Sequence, residues 1–174
     1  MRGVGEYMRR TWIAFLAVLL LVAFAGCSRK EIRAEEIDFH FQCDANIVSG
    51  EQKINCRLNR TSPGIVSVKV SSGDLNGMTY DWSGEDFSIT YSGLTAKSEG
   101  CVLPNYSFAE VLKQTLDYAE KSGSLTKTHG NEFSGKLNDF DFTVITDGDG
   151  RIKKITVPGR NFSAEFYNFT EQGL

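Results

Sequence analysis

From Ile37 the chain alternates, with Ile37, Phe39, Phe41, Cys43, Ala45 and Ile47 on one side and mostly polar residues on the other. A period of two marks a half-buried β-strand. Ser49-Gly50 is a tight-turn dipeptide, and a two-residue loop there sets Ala45 opposite Ile54, Cys43 opposite Cys56 and Phe41 opposite Leu58. All these apolar residues then share one face, which a slip of one residue would turn into water. Val66, Val68 and Val70 alternate in the same way, then Met78, Tyr80 and Trp82, then Phe87, Ile89 and Tyr91 after a Ser83-Gly84 turn. These segments predict further antiparallel strands.

After Pro104 the period changes. Ser107-Phe108-Ala109-Glu110 has the form of a capping box and opens a helix through about Lys121, with Phe108, Val111, Leu112 and Leu116 as its apolar stripe and Gly123 as its stop. Short strands are expected around Thr126 and Phe133, over Phe140 to Thr146, Ile152 to Val157 and Phe162 to Phe169, with Gly-rich turns between them. The predicted architecture is α+β, a single curved antiparallel sheet with one main helix on its concave face. One helix covers only part of such a sheet. Phe39, Phe41, Leu58, Tyr80, Trp82, Phe87, Ile89 and Tyr91, with Phe108 and Leu112 of the helix, would then either line an apolar ligand site or close up as ordinary core.

The N-terminus has the three parts of an export signal: Arg2, Arg9 and Arg10, an apolar run from Trp12 to Ala25, and small residues at a cleavage point. The run is shorter than the roughly 20 residues a membrane-spanning helix needs. Ala23-Phe24-Ala25-Gly26-Cys27 resembles a bacterial lipobox, with Phe24 where Leu is usual; Ala23-x-Ala25 also suits an ordinary signal peptidase. The expected organisation is a signal peptide over 1–26, a lipidated Cys27 with a charged, solvated tether over 27–36, and one domain over 37–171. Two acyl chains of palmitate type on Cys27 would hold that domain on the extracytoplasmic face of a bacterial membrane, in the cell envelope.

The chain carries 22 acidic and 19 basic residues, and losing three Arg and one Glu with the signal leaves the remainder more acidic. That balance gives no reason to expect a nucleic-acid partner. With Cys27 acylated, Cys43, Cys56 and Cys101 remain, an odd number; Cys43 and Cys56 face each other in the predicted hairpin, as a disulfide or as two small buried thiols.

Catalytic chemistry finds little support. The two histidines, His40 and His129, sit on a predicted outer strand face and beside a turn, and the chain has no HExxH or GxSxG motif and no cysteines paired at metal spacing. Asp147-Gly148-Asp149-Gly150 begins like a calcium loop, but Arg151, Lys153 and Lys154 follow where carboxylates are needed, so turn chemistry explains it better. No metal, cofactor or catalytic residue is assigned. Asn-x-Ser/Thr sites at Asn59, Asn105, Asn161 and Asn168 would read as glycan acceptors only in a eukaryotic secreted chain.

The lipobox at Cys27, the aromatic hairpin from Ile37 to Leu58, the run through Leu75-x-Gly77 and Tyr91-x-Gly93-Leu94, and a last hairpin turning at Asp147-Gly148-Asp149-Gly150 together resemble the LolA/LolB-type lipoprotein-carrier superfamily. The resemblance implies a half-barrel whose concave face binds a hydrophobic ligand such as an acyl chain of a lipid or of another lipoprotein, without enzymatic activity. It also implies an alternative seen in anchored members, a module that docks or regulates an envelope protein. The amphipathic helix that precedes the first strand in such carriers is replaced here by the short charged segment from Ser28 to Glu36.

Overall fold

The computed structural model describes residues 30–99, 103 and 107–170, and forms one antiparallel sheet of eleven strands. The strands are β1 (Phe41–Ser49), β2 (Gln52–Ser62), β3 (Ile65–Val70), β4 (Thr79–Ser83), β5 (Asp86–Tyr91), β6 (Leu94–Glu99), β7 (Leu125–His129), β8 (Glu132–Leu137), β9 (Phe140–Thr146), β10 (Ile152–Val157) and β11 (Phe162–Thr170). One helix, α1 (Phe108–Ala119), stands between β6 and β7 in the chain. The spatial order is β6-β5-β4-β3-β2-β1-β11-β10-β9-β8-β7, so α1 lies in the connection between the two open edges of the curved sheet. Its buried stripe, Phe108, Val111, Leu112 and Leu116, joins the inward residues of the strands in one core. This is the expected α+β half-barrel. Among the described residues no helix is long and apolar enough to cross a membrane.

The alternation places the core. Along β1 and β2, Phe41, Cys43, Ala45, Ile47, Ile54, Cys56 and Leu58 are all buried, while the residues between them are more exposed. The register of this hairpin differs from the expected one. Ser49 pairs with Gln52, so the loop is Gly50-Glu51, and Cys43 lies opposite Leu58, Ala45 opposite Cys56 and Phe41 opposite Arg60. Gly50 has φ +59° at the first loop position, the place a type II′ turn reserves for glycine. Moving the turn by one residue shifts each pair by two, which preserves the faces and re-pairs the strands. Cys43 and Cys56 are therefore diagonal neighbours rather than partners, and both are free buried thiols.

Strand β6 has no counterpart among the expected elements. All six of its residues are exposed, so it carries no alternation to read, and it is held by pairing with β5. The helix begins where expected, but Ser107 makes no side-chain capping bond, and Glu110 accepts a hydrogen bond from Gln114 Nε2 at 2.8 Å.

The charged segment before β1 also departs from expectation. It is docked rather than solvated from Glu31 onward, and the compact unit runs from Glu31. Ile32 is only 2% exposed; its N–H donates to Asn131 Oδ1 at 3.1 Å, and Lys127 Nζ reaches its carbonyl at 3.1 Å and Glu31 Oε2 at 2.9 Å. After a 3₁₀ turn over Ala34–Glu36, the Asp38 N–H donates to the Gly150 carbonyl at 2.9 Å. A single apolar residue among charges gives no period, so Ile32 did not register as a core position. The signal segment, Cys27 and Cys101 lie outside the described residues.

Candidate functional site

The ten residues expected on the concave face divide by position. Phe39, Phe41, Leu58, Tyr80, Trp82, Phe87, Phe108 and Leu112 are buried, Ile89 is partly buried against them, and Tyr91 is 40% exposed with its hydroxyl donating to the Asp74 carbonyl at 3.4 Å. The aromatic rings form separate groups. Phe41 meets Phe166 and Phe169 edge-on, each at 5.9 Å between centroids. At the other end, Tyr80 stacks along Trp82 at 6.3 Å and takes Phe108 edge-on at 5.5 Å, and Trp82 meets Phe87 at 4.9 Å.

That second group is built by adjacent strands. Trp82 on β4 pairs with Phe87 on β5 and with Val66 on β3, and Tyr80 pairs with Ile89 and Val68. Phe108 stands at the start of the helix, so the group sits under the first turn of α1. It holds one anomaly. The Trp82 indole N–H is buried and finds no hydrogen-bond acceptor among the described residues. A buried donor without a partner loses roughly 1–3 kcal/mol of solvation, which makes such groups rare. Burial also pushes the Tyr80 hydroxyl pKa above its ordinary value.

A second constellation lies at the far half of the helix. Arg60, 0% exposed, follows Leu58 in the inward row of β2 and reaches the Phe39 carbonyl through Nη1 at 2.7 Å. Its Nη2 meets Asp117 Oδ1 at 2.9 Å and Glu120 Oε2 at 2.6 Å. Asp117 also accepts from the Gly64 N–H at 3.1 Å and from Lys113 Nζ at 2.9 Å, and Glu120 Oε1 lies 3.1 Å from His40 Nε2. Burial raises the Asp117 pKa, but the bonds from Lys113, Gly64 and Arg60 outweigh it and hold the carboxyl below its ordinary value. The network ties the approach to β1, the end of β2 and the β2–β3 turn to α1. A cleft of about 310 Å³ opens beside it, lined by Ile37, Phe39, His40, Glu120, Lys121 and Leu125 among others.

Reading the sequence missed this network. His40, expected on an outer face, is exposed and also lies beside Glu120. The signals were present: Arg60 continues the inward row Ile54, Cys56, Leu58, and Lys113, Asp117 and Glu120 recur at helical spacing.

Cys43 and Cys56 have pKa values pushed up to about 12, in both cases chiefly by burial. The turn after β9 is organised by Asp147, whose Oδ1 accepts from the N–H groups of Asp149 and Arg151, both at 3.0 Å, as turn chemistry predicts. Lys153 Nζ lies 3.4 Å from Asp147 Oδ2. Among the described residues no three His, Cys, Asp or Glu side chains converge as a metal site.

No family model matches the sequence. No curated protein matches it either. Among solved structures, the chain is similar to the crystal structure of a LolA superfamily protein from Nitrosomonas europaea, with 10% sequence identity, covering 81% of this chain and 91% of that chain at a TM-score of 0.45.

Proposed function

We propose that this is a non-enzymatic envelope protein, held on the extracytoplasmic face of a membrane through acylated Cys27, that takes an apolar ligand of acyl-chain type at the aromatic end of its concave face. The site comprises Tyr80, Trp82, Phe87, Ile89 and Phe108, while Phe39, Phe41, Leu58 and Leu112 continue the same core away from it. The observation that carries this reading is the Trp82 N–H, buried among apolar rings with no acceptor among the described residues. An apolar site with one polar handle suits an acyl chain bearing an ester carbonyl, which would accept that hydrogen bond.

The test is native mass spectrometry of residues 28–174 before and after organic extraction. An extractable adduct is expected, and Trp82→Phe should weaken its retention by about three- to tenfold, the value of one net hydrogen bond. A clean apo mass, with no uptake of an added fluorescent fatty acid, would overturn the reading.

The second reading, docking of an envelope protein, is favoured by one feature. Edge strand β6 presents six exposed residues, and Leu94 at its start is 78% exposed. An edge of that kind accepts an added strand from a partner. Lys97→Pro and Ser98→Pro, neighbours of which one must point its N–H outward, would separate the readings, since only docking should respond.

A further inference from the structure

The place where the chain enters its folded unit fixes which end of the sheet faces a membrane. Glu31 and Ile32 are bound to Lys127 and Asn131, at the turn between β7 and β8. Asn131 in turn donates through Nδ2 to the Asp147 carbonyl at 3.2 Å, and its own carbonyl accepts from the Thr146 N–H at 3.0 Å. The entry point is thereby locked to the β9–β10 turn as well, and Asp38 pairs across to Gly150 and Arg151 at the same end.

Strand directions extend this local anchor to the whole sheet. Because every neighbouring pair of strands is antiparallel, the turns fall into two sets. The β7–β8, β9–β10, β2–β3 and β4–β5 turns lie at the end where the chain enters. The β1–β2, β5–β6, β8–β9 and β10–β11 turns lie at the opposite end. Between Cys27 and Glu31 the sequence leaves three residues, Ser28, Arg29 and Lys30, so the four Cα-to-Cα steps span at most about 14 Å when fully extended. The eleven-residue β2 separates the two ends by roughly 35 Å.

We infer that the domain stands end-on to the bilayer, with the β7–β8 and β9–β10 turns against the lipid headgroups and the β1–β2 and β8–β9 turns pointing away. This orientation rests on acylation of Cys27. The leash is shorter than the domain, and Ile32 beyond it is pinned at one end of the sheet, so the domain cannot invert to seat its far end on the surface and lift the near end away without undocking Ile32. The occupant of the near end is the membrane that receives the acyl chains. The charges there are mixed, with Lys127, Arg151 and Lys153 beside Glu31, Asp147 and Asp149, so the tether sets the orientation rather than an attraction to anionic lipid.

The test uses the full acylated protein in phosphatidylcholine vesicles containing a headgroup-quencher lipid. Cys101→Ser removes one thiol, while Cys43 and Cys56 are buried and stay unlabelled. A fluorophore is placed at His129→Cys or Asp149→Cys for the near end, and at Glu51→Cys or Asp139→Cys for the far end, all exposed positions. Quenching should be about threefold or more stronger at the near pair, given an end-to-end distance of roughly 35 Å. Inserting about 12 Gly/Ser residues after Lys30, a flexible coil with a mean reach of about 20 Å, should erase most of that difference without releasing the protein. Equal quenching at both ends in the vesicle-bound protein would overturn the orientation alone. Failure to bind vesicles, with an intact mass lacking acyl chains, would overturn the anchoring and the orientation with it.

Discussion

Arg60 makes three short contacts from a fully buried position, to the Phe39 carbonyl, Asp117 and Glu120. Removing one partner from such a group leaves the others desolvated and uncompensated. Arg60→Met should therefore lower the unfolding free energy by about 3 kcal/mol, at the low end of the range for buried pairs because Asp117 and Glu120 keep some solvent contact. Urea titration of the variant against the parent measures it. Asp117 gives the network a pH dependence of known sign. Its folded pKa lies below the ordinary 3.8, so the unfolded chain binds the proton more readily, and the associated stability is complete above that value and lost as the pH falls through the folded pKa. Thermal melts should show a steep loss of stability in that acid window, with a shallower acid slope and a lower neutral melting temperature in Asp117→Asn. Cys43 and Cys56 should stay silent to a thiol reagent at pH 8 in the Cys101→Ser form of residues 28–174 and react fully once urea unfolds it, since burial holds both near 12. Rapid reaction of the folded protein would contradict their placement in the core.

Among the elements, strands with one buried face were legible because burial imposes a period of two, and the helix because its stripe imposes a period near four. Strand β6 was not, since an edge strand exposed on all six positions obeys no hydrophobic pattern. The hairpin of β1 and β2 was legible in its faces but not its pairing, because a two-residue shift leaves the alternation unchanged and only the glycine requirement of the turn decides it. Of the candidate site, the aromatic positions were readable as inward-facing. The unpartnered Trp82 N–H was not, because whether an acceptor stands beside it is a property of packing. The docked segment before β1 depends on one glycine. Gly150 has φ +85°, and a side chain there would run into the Glu36 carbonyl. Gly150→Ala should cost roughly 1–3 kcal/mol in a urea titration. It should also open the Arg33 peptide bond to trypsin under native conditions, where the parent should resist cleavage.

At the scale of the molecule, α1 and the sheet share one core, and α1 sits in the connection between the two open edges. The first and last strands of that unit meet in the middle of the sheet, where β1 pairs with β11 over nearly its whole length. Ending the chain after Val157 would remove β11, exposing the inward faces of β1 and β10 together. Such a protein should lose its cooperative thermal transition and bind a hydrophobic dye, whereas a chain ending after Thr170 should melt as the parent does. The same pairing governs timing. A chain delivered from its N-terminus, by a ribosome or through a narrow pore, holds β1 to β10 with the central seam unmatched until the last strand emerges. The two flanking meanders can form as they emerge, but the seam that joins them waits for β11.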